Sequence, residues 1–384
     1  MKTTPPRVIR AVAVLALLLL TGSDLRADKA EDEAARHVEG LGGKVTRDQM
    51  VKGRPVVGVD LSRLDFDAAR ALNWKKLAAL KELRTLNLTG VQMTDAGLKN
   101  LAAFKNLQSL NLQASLVTDA GLKELAELKT LQTLSLQGTG VTNAGLKLLA
   151  GLPALEKLNL NGTRVTDAGL KDLAGSPSLQ SLNLLVNGVT NAGLKELAAH
   201  KTLRELYLGG RVTDAGMKDL AALQTLRELH LELTRVTDAG LKLVVSLKNL
   251  ESLSLGRGVT DAGLKELPAL NNLQSLGIGD TNVTVAGLKE LAALKSLQFL
   301  DLGIDLHGRT QEYTLVTDAG LKTLATLNGL KSLNLSGNKV TDAGLKELAA
   351  LKMLQTLNLD RTLVTRAGKA QLQKALPKCQ IVGP

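Results

Sequence analysis

Glu205 and Tyr207 stand two residues apart, and Glu228, His230 and Glu232 repeat that spacing 23 residues later. A period of two puts side chains on one face of a strand. Three carboxylates, a phenol and an imidazole on one face could carry out acid–base chemistry, ligate a metal or recognise a ligand. Glu205 is expected about 5 Å from Glu228 if the two segments are neighbouring strands. Leu185 stands exposed just before this group, Arg204 and Arg227 lie at its edge, and Phe299 and Asp301 follow further on. The one long insertion, Ile304 to Tyr313, comes next. Tyr207, Phe299 and Tyr313 are half of the chain's six aromatic residues, and rings and Arg are the usual anchors of binding surfaces. An open sheet face, with no second histidine converging, argues against a metal site or a catalytic centre, which need a water-excluding cleft. The candidate ligand-binding set is therefore Leu185, Glu205, Tyr207, Glu228, His230, Glu232, Phe299, Asp301 and Tyr313, with no catalytic residue, metal or cofactor expected. Drift at solvated positions is the competing explanation for the same departures.

Other chemistry is scarce. The chain has no phosphate-binding P-loop, dinucleotide-binding glycine pattern, H-E-x-x-H or G-x-S-x-G. Its single cysteine, Cys379, excludes an internal disulfide and a thiolate cage, and reads as a small packing residue near the end of the chain. The net charge is +11. Lysines recur at Lys99, Lys123, Lys147, Lys171 and Lys195 and onward to Lys346, with a second row including Lys105, Lys129 and Lys201. Such rows can attract nucleic acid or anionic polymers. Here Glu124, Asp172, Glu196 and Glu347 break them up and no aromatic residue accompanies them, so they read as solvated helix faces, and no nucleic-acid partner is expected.

The elements that position these residues are repeats. V-T-D-A-G-L-K or a close variant occurs twelve times across 384 residues, its Thr running from Thr94 to Thr365. The spacing is 24 residues, with 23 before Thr213 and Thr260 and 33 before Thr317. Each copy follows a run L-x-x-L-x-L such as Leu107-Leu110-Leu112, which reads as a short strand with one buried face. Three residues after the last Leu stands a small polar residue, as at Thr139, Thr163, Asn187 and Asn338, suited to bonding backbone groups where the chain turns. From Asp119 to Lys129 the spacing is helical, with Leu122, Leu125 and Leu128 inward. Thr118 or Asp119 can cap that helix. The Gly of each copy is expected to allow close packing of helix on sheet. One coil cannot bury its apolar side alone, so the stacked array is the folding unit. The shortage of rings, 2% of residues, fits a core stacked from one aliphatic unit.

These paired motifs resemble the leucine-rich-repeat family, in particular bacterial secreted members built on V-T-D-A-G-L-K-E-L. The resemblance covers Val56 to the C-terminus. It implies an α/β fold: a right-handed leucine-rich-repeat solenoid, or horseshoe, of 24-residue repeats with parallel strands on the concave face and helices on the convex face. Similar repeats occur in the substrate-reading half of F-box proteins, but nothing here resembles an F-box.

At the N-terminus Lys2, Arg7 and Arg10 precede the apolar run Ala11 to Leu20, which is too short to span a bilayer and has the pattern of a secretory signal over residues 1–27. Cleavage after Ala27 and retention as a tether are both open. Residues 28–55 are expected to form an N-terminal cap of a helix and strands, with Trp74 packing against it, and residues 56–384 a solenoid closed by a helix to Leu376 and a strand at Cys379 to Val382. The sequence thus leads to an exported, monomeric, non-catalytic scaffold in a bacterial periplasm, at the cell surface or outside the cell, with no membrane span after signal cleavage. It would bind a protein or glycan through the concave face. The alternative is a structural envelope protein whose Lys-rich convex face contacts anionic polymers.

Overall fold

The computed structural model describes residues 29–304 and 316–384. The expected signal segment, Tyr313 and nearly all of the insertion lie outside them. The chain divides into two compact units, residues 1–158 and 159–384, each built from the same coil.

In the first unit a helix over residues 29–40 buries Ala34, Ala35 and Val38. It precedes an antiparallel pair, Lys44–Arg47 with Val56–Asp60, in the register Val45↔Val59. His37 Nε2 accepts from the Asn73 amide at 3.0 Å, which ties that helix to the turn at Trp74. Trp74 itself is half-buried. The strands Thr85–Asn87, Ser109–Asn111 and Thr133–Ser135 then add in chain order and in parallel, with Leu86, Leu110 and Leu134 as register partners. In the second unit the parallel strands run in chain order from Ser181–Asn183 to Gln380–Val382, each a three-residue segment with a buried aliphatic centre. A helix of about two turns follows most strands, as at Asp119–Leu125 and Asp342–Leu348. The last is Arg366–Ala375, and Cys379, buried beyond it, has its thiol pushed up by burial.

The leucines of the motif pack without exposure: Leu107, Leu110, Leu112, Leu125 and Leu128 are each 0% accessible. One ring does enter this core. Phe104 is fully buried at the position that Leu128 takes in the next coil, and its coil replaces the end of the helix by a 3-10 turn over Lys99–Ala103. His200 occupies the corresponding site two coils into the second unit. It is buried, its ring bonds the Leu173 carbonyl, and burial holds its pKa below the ordinary imidazole value. The polar residues of the turns behave as their spacing implies: Thr139, Thr163, Thr281 and Thr362 each donate to the carbonyl three residues back.

The T-D-A-G signature works differently from the sequence reading. Thr118 caps its own helix, accepting from the Ala120 amide. The following Asp instead reaches forward to the next coil. Asp119 Oδ1 accepts from the Thr142 amide at 2.8 Å, and Oδ2 accepts from the Thr142 hydroxyl at 2.5 Å. The same pair of bonds recurs from Asp95 to Thr118, Asp167 to Thr190, Asp214 to Thr237 and Asp342 to Thr365. The Gly of each copy makes room for that carboxylate: a Cβ on Gly145 would stand 2.5 Å from Asp119 Oδ1, and one on Gly193 2.5 Å from Asp167 Oδ1. The Gly therefore serves coil-to-coil packing rather than the helix-to-sheet spacing expected.

The repeat supplies its own control. Val285 stands where ten of the twelve copies carry Asp or Asn, the last copy having Arg366, so the coil after the insertion receives no such carboxylate, and Thr317 makes no side-chain cap. A Cβ on Gly320 would meet Val316 Cγ1 at 3.0 Å, a tight contact that offsets part of any gain, and Val285 Cγ2 only at 3.5 Å, whereas one on Gly344 would overlap the Asp318 carboxylate. Ala is normally worth about 0.5–1 kcal/mol over Gly inside a helix, and forced overlap costs about 1–3 kcal/mol. Gly320→Ala should therefore lie within about 0.5 kcal/mol of the wild type in chemical denaturation, while Gly344→Ala should lose about 1–3 kcal/mol. Equal losses at the two sites would contradict the interlock.

Candidate functional site

Tyr207 and His230 are brought together by the ladder. The strands Glu205–Tyr207 and Glu228–His230 pair in parallel with Glu205↔Glu228 and Tyr207↔His230 as register partners. Their centres, Leu206 and Leu229, are fully buried, so alternation turns all four side chains to the outer strand face. The two rings stack with centroids 4.0 Å apart and planes 5° from parallel. The Tyr207 hydroxyl donates to Glu205 Oε1 at 2.6 Å. His230 Nδ1 stands 3.3 Å from both Glu232 Oε1 and Ser254 Oγ. His230 Nε2 is buried and has no hydrogen-bond partner among the described residues.

Charge concentrates here with a sign opposite to that of the chain. Burial pushes the Tyr207 phenol well above its ordinary value of 10.0, and its bond to Glu205 and the nearby Glu228 and Glu232 push the same way. Burial raises Glu232, but the bonds from His230, its own amide and Ser254 outweigh it and leave the carboxyl below its ordinary value. Asp301 is raised, first by burial and then by the charges of Asp280 and Glu232, against the bonds it accepts from Gly303 and Asn334. Glu232 and Asp301 thus face one another across a shallow depression floored by the small residues Ser252, Ser254, Ser275 and Gly277.

The other expected residues are placed less closely. Phe299 is exposed, on the strand Phe299–Asp301, with Ser275 and Ser332 beside it. Two strands, Ser252–Ser254 and Ser275–Gly277, separate it from the His230 strand, a gap of about 14 Å at ladder spacing. It does not join the ring stack. Leu185 is half-buried rather than exposed. Its neighbour Val186 is the exposed apolar residue, 67% accessible with φ +51. Arg227 pairs with Glu251. Tyr313 lies outside the described residues.

Val186, Leu233, Asp280 and Ser254 escaped the sequence reading. Val186 and Leu233 line a second shallow depression with Gly210 and Arg211, beside the ring stack. A signal for Val186 did exist. Gly90, Gly138, Gly162 and Gly337 occupy the same turn position with φ near +70, and a β-branched residue there is an outlier. One metal-competent group stands out among the described residues: Glu205, Glu228 and His230 each offer a ligand atom within 4.8 Å of the others.

The family model described as a leucine-rich repeat region matches residues 62–320, and a second, described as a leucine-rich repeat, matches residues 328–349. No curated protein matches the chain. Among solved structures, an internalin from Listeria monocytogenes is similar at 22% identity, covering 93% of this chain and 94% of that one with a TM-score of 0.52; at this identity it shows the fold. A leucine-rich-repeat protein from Leptospira interrogans is 24% identical over 80% of this chain and 86% of its own, with a TM-score of 0.48.

Tyr207 gives the site a spectroscopic handle, because the chain has only two tyrosines. In a Tyr313→Phe variant, phenolate absorbance should rise only at pH values well above 10. The native chain then holds a proton that the unfolded chain has released, so stability contributed at Tyr207 is present below about pH 10 and is lost as pH rises towards the raised native value. A titration midpoint at pH 10 would contradict the bonded, buried phenol.

Proposed function

The chain belongs to the leucine-rich-repeat family, and we propose from that premise that it is an exported, non-catalytic scaffold that captures a ligand on its strand face. The family fold is typical of protein-interaction scaffolds. The one observation that carries the reading is the stack of Tyr207 on His230 beside Glu205, Glu228 and Glu232; on the strands most other coils carry Thr, Ser or Asn at these outward positions. Core packing asks the same residue of every coil, and these side chains face outward, so the fold alone does not demand them.

The chemistry of the surface describes the ligand it would suit. A flat aromatic platform and a row of carboxylates favour a protein segment that presents cationic groups, and Val186 and Leu233 offer an apolar rim beside it. A glycan could stack on Tyr207 instead. Export rests on the signal pattern of residues 1–27, and no helix among the described residues is long and apolar enough to cross a membrane. The envelope-polymer alternative would place binding on the Lys-rich helix face. Binding to exposed lysines alone would fade with salt, since screening acts over about 8–10 Å at 0.1–0.15 M, whereas the Tyr207 platform and the Val186 and Leu233 rim would hold ligand through it.

Two measurements check the strand-face reading. Tyr207→Ala should keep the native circular dichroism and lose capture of ligand from envelope extracts in 0.2 M salt; unchanged capture defeats the patch. Val186→Gly should raise stability by about 1 kcal/mol, by removing a strained left-handed valine, and should also weaken capture. Stabilisation with capture intact would mark Val186 as drift.

A further inference from the structure

We propose that Glu205, Glu228 and His230 form a binding site for one divalent transition-metal ion of the zinc type. The three residues come from two neighbouring strands whose register is fixed by buried leucines, and one ligand atom from each lies within 4.8 Å of the other two. Donors around a tetrahedral ion with bonds of about 2.0–2.2 Å stand about 3.3–3.6 Å apart. Closing the remaining gap takes a side-chain rotation of about 1 Å at this scale, which the exposed Glu228 is free to make.

The imidazole is already set up as a ligand. Its Nδ1 faces Glu232 Oε1 and Ser254 Oγ, both at 3.3 Å. A histidine that donates its Nδ1 proton to a carboxylate presents a lone pair at Nε2, the arrangement that orients metal-bound histidines. Nε2 is the buried atom without a hydrogen-bond partner among the described residues. Tyr207, stacked on the ring, prevents it from turning away, and the Tyr207 hydroxyl fixes Glu205 through Oε1. One nitrogen and two carboxylates suit a zinc-like ion and disfavour calcium, which takes oxygen alone. Sequence spacing had argued against a metal because no second histidine converges. The third donor is instead Glu205, delivered by the neighbouring strand.

This inference goes beyond ligand capture and stands apart from it, because capture can be assayed in chelator while metal binding needs no partner. The test uses the full chain stripped with chelator, titrated with Zn²⁺ by calorimetry and with Co²⁺ by visible absorption at pH 7.5. One ion per chain is expected, released on acidification because the ligand nitrogen must be unprotonated. His230→Ala and Glu228→Gln should each weaken binding at least tenfold, Glu232→Gln should weaken it about tenfold through ring orientation, and His37→Ala should leave it unchanged. The proposal is overturned if the wild type takes up no Zn²⁺, or if His230→Ala, folded by circular dichroism, binds as the wild type does. Should His230→Ala fail to fold, the exposed Glu228→Gln decides by the same criterion.

Discussion

The coils are held in step by a carboxylate that serves the neighbour rather than its own helix. Each repeat Asp accepts from both the amide and the hydroxyl of the Thr one coil on, so the Thr hydroxyl, having donated, keeps a lone pair with which to cap the helix that starts there. Asp, Thr and Gly are thus one device. The Asp needs two donors, the Thr provides both, and the Gly clears the space. Asn191 shows the logic from the other side. Its Oδ1 still accepts from the Thr213 amide, but its Nδ2 donates to Thr213 Oγ1, and Thr213 makes no side-chain cap. The hydrogen bond has reversed direction and the cap is lost with it. At the last interlock the effect on the acid is visible directly: bonds from Thr365 hold Asp342 below the ordinary carboxylate range.

That constraint explains which parts of the structure the sequence could disclose. The strand and helix halves of the coil follow from leucine spacing, because burial acts within a single coil's own period. The role of Asp119 does not, since its partner is 23 residues away and the same residue is a respectable helix cap in isolation. Phe104 is a similar case. A ring looks excluded from a stacked aliphatic core, yet local rebuilding of one helix into a 3-10 turn admits it.

The candidate site was legible to the extent that alternation and register are legible. Spacing of two puts Glu228, His230 and Glu232 on one face, and the repeat length puts Glu205 opposite Glu228, as the ladder has it. The stack of Tyr207 on His230 depends on side-chain rotamers, and the isolation of Nε2 on burial, neither of which spacing reports. Phe299 shares with these residues only its place as a departure at an outward strand position. Two intervening strands of small side chains keep it apart and make the depression between them.

A basic chain with an acidic patch on one face needs its charges distributed for a reason. The repeat lysines from Lys99 to Lys346 recur once per coil, exposed and diluted by acids. The carboxylates do not follow it: Glu205, Glu228, Glu232, Asp280 and Asp301 fall within five consecutive strands and their turns. Periodic charge is what repetition of one unit produces without selection on any single copy. Aperiodic charge gathered at outward positions adds to burial in raising Asp301 and so works against the stability of the folded chain there. An ion or a cationic partner seated among these carboxylates would relieve that repulsion.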